Sequence, residues 1–401
     1  MHETLTTDGM NPSEALVTRL CQRAFLRLWT HPNPKGKKGK ELCDCLIVCG
    51  RHVVIVSVKD IKFKDTGDKT GWERWHKDAV DGSVTQIWGA ERWLATVDKV
   101  VRRDGRTVTL PPKSERVYHR MAVALGGRGA VPIKWGDFGN GFIHVCDEHS
   151  LEALFMGADT IGDLLDFLSA VEAQMSKPTK VMFSGSGLED LLALYLVNGP
   201  SFGFDDSDRQ GQGVAVLLPG IWDGYRASNV YAERAAALEN SYAWDRLIEH
   251  LASDLLTDGM VDMFSKSLTQ DDLALVAMAL QRRDARLHLA TAFLDFLVPN
   301  GKRVASRCAV GENATAFVFL AGSSGDREHR SQELGLRCLV VRVRVKDIVA
   351  VVGIATDRPG TSAVGYSCDL AYLEMDRVTP DDEAAVAGIQ KDLGFFKALA
   401  P

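Results

Sequence analysis

The sequence predicts an α/β protein: an N-terminal α/β module over residues 1–150, a mainly helical region over 151–300 and a small C-terminal α/β module over 301–401. Three observations carry that expectation. Helical and strand periodicities follow one another through the first 150 residues. From Asp159 long amphipathic stretches take over, and from Thr315 short apolar runs return. A chain of 401 residues has the length for two or three domains, and 46% hydrophobic with 25% charged residues is a globular composition.

Asn11, Pro12 and Glu14 read as the start of the first helix, whose apolar stripe is Leu16, Leu20, Ala24 and Leu28, with Phe25 and Trp29 beside it. The basic loop "PNPKGKKGK" follows. The apolar runs 42–49 and 52–58, divided by Gly50-Arg51, then read as a β-hairpin. "DAVDGSVTQIWGAERWLATVDKVV" (78–101) predicts a second helix in spite of its two glycines, and "GRTVTL", "RVYHRMAVALGG" and "GFIHVCDE" predict three more strands. Helices are expected in "DTIGDLLDFLSAVEAQM", "GLEDLLALYLV", "AERAAALENSYAWDRLIEHLASDLL" and "TQDDLALVAMALQRRDARLHLATAFLDFL". Pro and Gly mark a loop region over 199–224, with the polar turn "GFDDSDRQGQG" near its start. "TAFVFLAG", "LGLRCLVVRVRV", "IVAVVGIATD" and "SCDLAYLEM" restore α/β patterning before a closing helix, "PDDEAAVAGIQKDLGF". No internal repeat is evident.

No apolar run approaches the roughly 18–20 residues that span a bilayer, and the opening residues lack the basic-then-apolar order of a signal peptide. The expectation is a cytoplasmic protein without membrane contact. Cysteines at 21, 43, 45, 49, 146, 308, 338 and 368 have neither zinc-site spacing nor the density of a secreted scaffold, so they read as reduced thiols. Cys43, Cys45 and Cys49 have one strand parity and would share a face; with His52 after them they read as buried hydrophobes rather than a metal cluster.

A net charge of −6 argues against a uniformly basic coat, but the charge is uneven. Residues 31–77 hold eleven Lys or Arg against six Asp or Glu. This excess of positive charge is either a solvated lysine-rich loop or a phosphate-facing surface carried by Lys35, Lys37, Lys38, Lys40, Lys62 and Lys64.

The hairpin "GKELCDCLIVCGRHVVIVSVKD" (39–60) sets a carboxylate, Asp44, near the start of one apolar strand and an amine, Lys59, near the end of the next. Antiparallel pairing brings those two ends together, and Ser57 shares the face of Lys59. One reading is an ion pair at the sheet's edge.

The pattern also resembles the PD-(D/E)XK nuclease superfamily, with its restriction-endonuclease-like core of helix, strands, helix and strand. There an Asp begins one strand and an acid-x-Lys lies on the next; here the match is Asp44 and Ser57-Val58-Lys59, within residues 10–147. The resemblance implies a magnesium-dependent nuclease, with manganese as a substitute ion, acting on nucleic acid and foremost on DNA, in DNA processing or bacterial antiphage defence. Asp44 would be a metal ligand, and Lys59 would position the attacking water or offset charge on the phosphate. Magnesium suits such a site because it keeps several waters and needs few carboxylates.

The chain departs from the family at Ser57, where an Asp or Glu is expected. Two acids are candidates to supply the missing carboxylate. Glu14 matches an extra metal-site acid on the first helix, and also suits an N-cap box with Asn11. Glu41 has the opposite strand parity to Asp44 unless it lies in a turn. Gln86 resembles a second-helix Gln of several branches, and is equally a solvated helix residue. The alternative is a catalytically inactive nuclease-fold module that binds nucleic acid or protein. The helical middle suggests a protein-partner surface, and a homo-oligomer stays open. "FSGSGLED" resembles the Gly-x-Ser-x-Gly elbow of hydrolases only loosely and reads as a loop, and Tyr242, Trp244 and Asp245 in "SYAWDRLIEH" read as a packing layer.

Overall fold

The computed structural model describes residues 10–67, 69–127, 136–177, 180–204, 214–253, 269–297, 305–322, 327–357 and 367–399. Most of "GFDDSDRQGQG" lies outside them. The fold is mixed α/β, with several sheets, and the chain divides into two compact units, Met1–Ala235 and Ala236–Pro401. The sequence reading had set its boundaries near 150 and 300.

The first unit is built on a six-stranded sheet. Its strands are β1 (Thr30–Pro32), β2 (Cys45–Cys49), β3 (His52–Asp60), β6 (Val117–Leu125), β8 (Phe142–Cys146) and β7 (Gly136–Asp137), in the order β1-β2-β3-β6-β8-β7. β3, β6 and β8 run parallel, while β1, β2 and β7 pair antiparallel to their neighbours. The short strands β4 (Lys99–Val101) and β5 (Thr107–Thr109) form a separate ribbon.

Helix α1 (Pro12–Phe25) starts at Asn11, whose side chain accepts from the Glu14 N–H, and stops at Leu26, which has φ 64°. Its buried face is Ala15, Val17, Thr18, Cys21, Ala24 and Phe25, so the expected stripe was out of phase and Leu16 faces solvent. Leu28 and Trp29 are buried outside the helix; the Trp29 carbonyl accepts from Val48 N–H as the chain enters β1, a strand the periodicity did not suggest.

The second helical run comprises α2 (Lys69–His76), a π-type turn at Lys77–Asp81 and α3 (Gly82–Leu94). It ends before the expected 101, because Lys99–Val101 pairs with β5 instead. α3 covers one face of the sheet, packing Val84, Ile87 and Leu94 on Val53, Ile55, Ala122 and Ala124. α1, α4 (Glu148–Gly157) and α5 (Ile161–Met175) cover the other, around Ile47, Val56, Met121 and Val123. Burial on both faces is why the strands are continuous apolar runs rather than alternating ones. Beyond them α6 (Leu188–Asn198) joins the parallel strands β9 (Lys180–Phe183) and β10 (Val214–Leu217). In "FSGSGLED" the Ser186 hydroxyl donates to the Leu217 carbonyl.

The second unit carries the sheet β11 (Ala305–Val310), β12 (Thr315–Gly322), β13 (Ala350–Asp357) and β14 (Cys368–Glu374), in that order. β12 and β13 are parallel, and the helix Arg327–Arg344 lies between them in sequence. "LGLRCLVVRVRV" belongs to that helix, which buries Leu334, Cys338 and Val341 at helical spacing. The long helix expected over 232–256 is interrupted by a 3₁₀ turn at Glu239–Ser241. Trp244 then packs edge-on against Phe317, as a packing layer would. Among the described residues no helix is long and apolar enough to cross a membrane.

Candidate active site at the open end of the hairpin

β2 and β3 join through Gly50-Arg51, where Gly50 takes the positive φ (55°) that a tight two-residue hairpin turn requires. The register pairs Cys45 with Val56, so Asp44 stands opposite Ser57. Facing residues of two strands share a side, which puts Asp44, Ser57 and Lys59 on the α3 face of the sheet.

Asp44 is 2% exposed. Its N–H donates to the Val56 carbonyl, and at the next position its own Oδ2, rather than a backbone carbonyl, accepts from Val58 N–H at 2.6 Å. Ser57 is fully buried and donates through Oγ to Gln86 Oε1 on α3, at 2.8 Å. A second clamp, between Arg120 on β6 and Glu91, holds α3 to the sheet one turn further along. Lys59 is half-buried. Among the described residues no ion pair joins it to Asp44, so the hairpin does not form the edge salt bridge that was one of its two readings.

Glu41 reaches the site through a slip in the ladder. Pro32 pairs with Cys45 and Asn33 N–H donates to the Asp44 carbonyl, but Leu42 N–H donates to the Pro34 carbonyl and Lys35 bridges Glu41. One extra residue therefore sits at Cys43, a β-bulge that reverses side-chain parity. Cys43 consequently packs with Leu46 and Val48 in the α3-side core, not on the face of Cys45 and Cys49 as strict alternation required. The bulge also sets Glu41 opposite Lys35, next to Asn33. Asn33 Nδ2 donates to Glu41 Oε2 at 3.0 Å and to Glu14 Oε2 at 3.4 Å, while the other oxygen of Glu14 accepts from Asn11. Glu14 thus serves both the helix cap and this acidic group.

The electrostatic consequence falls on Asp44. Its carboxyl is pushed up to about 6, chiefly by burial; the Val58 N–H and the Lys59 charge work against that rise, and Glu41 and Glu14 add to it. Three acids thus lie close enough to act on one another at the end of a sheet.

Among the described residues no three His, Cys, Asp or Glu side chains already stand in a metal-coordinating arrangement. The donor set nevertheless fits magnesium better than zinc: it consists of oxygens, one carboxylate buried and two nearby, and magnesium needs only one or two carboxylates beside its waters and substrate phosphates. The Oδ1 of Asn33 is a further oxygen, buried and without a hydrogen-bond partner.

The lysines leave from the same end of the hairpin. Lys35, Lys37, Lys38 and Lys40 are exposed around a tight tip in which Lys38 (φ 58°) and Gly39 (φ 74°) are left-handed. Beyond β3 the chain keeps strand-like bonds, from Ile61 N–H to the Leu125 carbonyl and from Phe63 N–H to Gly126, so Ile61 and Phe63 turn to the core and Lys62 and Lys64 to solvent.

Two features escaped the sequence reading. Asn33 is one. The other is a histidine row at the opposite end of the parallel strands: His52 Nδ1 lies 3.2 Å from His119 Nε2, and His144 Nε2 lies 3.0 Å from Glu172 on α5. Strand pairing alone aligns these rings, and each histidine looks like an isolated residue in the sequence. No family model matches the chain, and no curated protein matches it.

Proposed function

We propose that the first unit carries a restriction-endonuclease-like module of the PD-(D/E)XK type that hydrolyses phosphodiesters in nucleic acid, foremost DNA, with magnesium or manganese. One observation carries the reading: a buried carboxylate, Asp44, shares the hairpin's open end with Glu41 and Glu14 and has no ion-pair partner among the described residues. These acids, with the Lys59 charge acting on Asp44, give the end of the sheet the hard oxygen donors that magnesium takes. The element order of helix, antiparallel hairpin, helix and parallel strand agrees with the resemblance.

Asp44 would hold the ion directly, with Glu41 and Glu14 reaching it directly or through its waters. The bound ion would polarise a phosphate oxygen and lower the pKa of a water. Lys59, on the face of Asp44, offsets charge on the attacking water or on the phosphate. Because Ser57 donates to Gln86 Oε1, the Nε2 of that amide is left to orient a water or a phosphate oxygen. The exposed lysines hold the backbone of the substrate.

The test is incubation of purified protein with plasmid, single-stranded DNA and RNA, in magnesium, manganese or chelator. Metal-dependent cleavage is expected, and Asp44→Ala and Lys59→Ala should each lose it while staying folded, at a cost of about 2–4 kcal/mol in barrier. Full cleavage by either folded variant removes the assignment. Nucleic-acid affinity should fall steeply with salt. Replacing Lys35, Lys37, Lys38 and Lys40 together should flatten the log–log slope by up to ~3 units, and an unchanged slope would reduce that tip to solubility charge.

A second reading rests on Ser57: the position expected to hold an acid is a sealed hydrogen bond to Gln86. Under it the module binds nucleic acid or a protein without cutting, and salt-sensitive binding with no cleavage in either metal would favour it.

A further inference from the structure

We infer that Asn33 is the positioning residue of this site, and that by holding Glu14 and Glu41 together beside Asp44 it makes up for the acid absent at Ser57. The inference rests on the metal-dependent reading above. Asn33 bonds to all three residues, and to two of their carboxylates: its backbone N–H donates to the Asp44 main-chain carbonyl at 3.0 Å, and its Nδ2 donates to Glu41 at 3.0 Å and to Glu14 at 3.4 Å. Among the described residues no other does so.

The orientation of the amide follows from chemistry. Two carboxylates can only accept, so the NH₂ group must face them and Oδ1 must point away. That Oδ1 is buried with no donor, an uncommon condition for an amide oxygen. The backbone points the same way. Asn33 has φ 41°, a left-handed conformation that asparagine tolerates better than most residues, and it lies directly across from the bulge that swings Glu41 into place. Without the amide, Glu14 keeps its bond to Asn11, but no donor joins it to Glu41, and a divalent ion would have to draw the two carboxylates together itself.

Two variants separate this from a purely structural role. Asn33→Gly keeps the positive φ and removes the amide; Asn33→Asp keeps the shape and replaces the donor with a further acceptor. Magnesium and manganese binding by calorimetry, melting with and without metal, and plasmid cleavage across a metal titration are the readouts. For Asn33→Gly we expect a melting temperature close to wild type without metal, a metal midpoint raised at least tenfold, and cleavage largely recovered at saturating metal. Asn33→Asp should melt lower than wild type without metal and gain more on adding it. If Asn33→Gly does not fold, the metal-dependent gain of Asn33→Asp decides the matter. A wild-type metal midpoint in folded Asn33→Gly, or no extra gain in Asn33→Asp, overturns the role of Asn33 while leaving the nuclease reading standing. If the wild-type protein neither binds the ions nor cuts, the nuclease reading fails and takes this inference with it.

Discussion

The two units each hold acids at the ends of strands, and they treat them in opposite ways. In the second unit Asp357 closes β13 and Asp369 lies on β14, and both are neutralised. Arg330, 3% exposed, donates to Asp357 Oδ1, to Asp369 Oδ2 at 2.8 Å and to the Ser367 hydroxyl, while Arg327 takes the other oxygen of Asp369. Burial opposes the charge on Asp357, but the Ser367 N–H and hydroxyl and the Arg330 guanidinium outweigh it and hold its carboxyl below the ordinary value. In the first unit burial drives the Asp44 carboxyl up, Glu41 and Glu14 add to the rise, and the Val58 N–H and the Lys59 charge do not offset it. Closed networks of the first kind fix a fold. A carboxylate left as Asp44 is weakens the fold, the kind of local cost that clusters at functional sites.

The largest expected effect comes from breaking the closed network. Arg330→Ala leaves two buried carboxylates without their guanidinium and should destabilise the second unit by about 3–5 kcal/mol, the usual cost of orphaning a buried charge. Urea denaturation measures it, and the loss should be the same with magnesium or chelator. A loss that magnesium repairs would mean that this cluster, too, is a cation site.

The same operation at the other cluster should have the opposite sign. Asp44 is ionised at neutral pH both in the fold and in the unfolded chain, but its folded pKa of about 6 lies above the ordinary 3.8, so the fold bears a cost that the unfolded chain does not. Asp44→Asn keeps an oxygen for Val58 N–H and removes the charge, and should stabilise the metal-free protein at pH 7 by on the order of 2 kcal/mol. A carboxyl raised in this way stabilises fully below its unfolded pKa and loses that contribution as pH rises through the folded one. The advantage of Asp44→Asn should therefore shrink as pH falls from about 6 and vanish near 4. The histidines pull the other way. Burial holds His31 down to about 3, and His52 and His119 down to about 4, from 6.5. They stay neutral in the fold while the unfolded chain takes up protons, so their contribution is complete above about pH 6.5 and is lost towards 4. Wild type should lose stability on acidification, and Asp44→Asn should lose it faster. Parallel curves for the two proteins would contradict the raised carboxyl.

How much of this was legible beforehand follows from what periodicity can encode. A period of two fixes which face a side chain takes, so Ser57 and Lys59 could be set on one side of β3 and Asp44 near them across the hairpin, whereas Gln86 was suggested by the family resemblance alone and meets Ser57 in the structure. Periodicity fails wherever one residue changes the count. The bulge at Cys43 altered the face of Cys43, and the left-handed Leu26 ended α1 early enough to put Leu28 and Trp29 beside a strand. Asn33 had no signal at all, since its role depends on a positive φ and on two acids eight and nineteen residues away. The histidine row was invisible for a related reason: His52 and His119 are 67 residues apart and meet only through the register of β3 and β6.

The smallest effect is expected at Ser57, and it sharpens the comparison most. If the acids of the site come from Glu14 and Glu41, position 57 is no longer a ligand position but a hydrogen bond inside the core. Its hydroxyl donates to Gln86 Oε1, and Gln86 is only partly buried, so in Ser57→Ala water can replace the lost donor. The cost should be about 1 kcal/mol in stability, with cleavage reduced a few-fold as Gln86 loses its orientation. Restoring the family acid should do more harm. Ser57 has no exposed surface beneath α3, so Ser57→Glu must displace Gln86 and overpack the helix, at about 1–3 kcal/mol, before it can offer a carboxylate. Calorimetric magnesium titration and denaturation of both variants decide between the two readings. Weakened magnesium binding in Ser57→Ala, or tighter binding and faster cleavage in a fully stable Ser57→Glu, would show that the site still depends on position 57 and not on the acids gathered by Asn33.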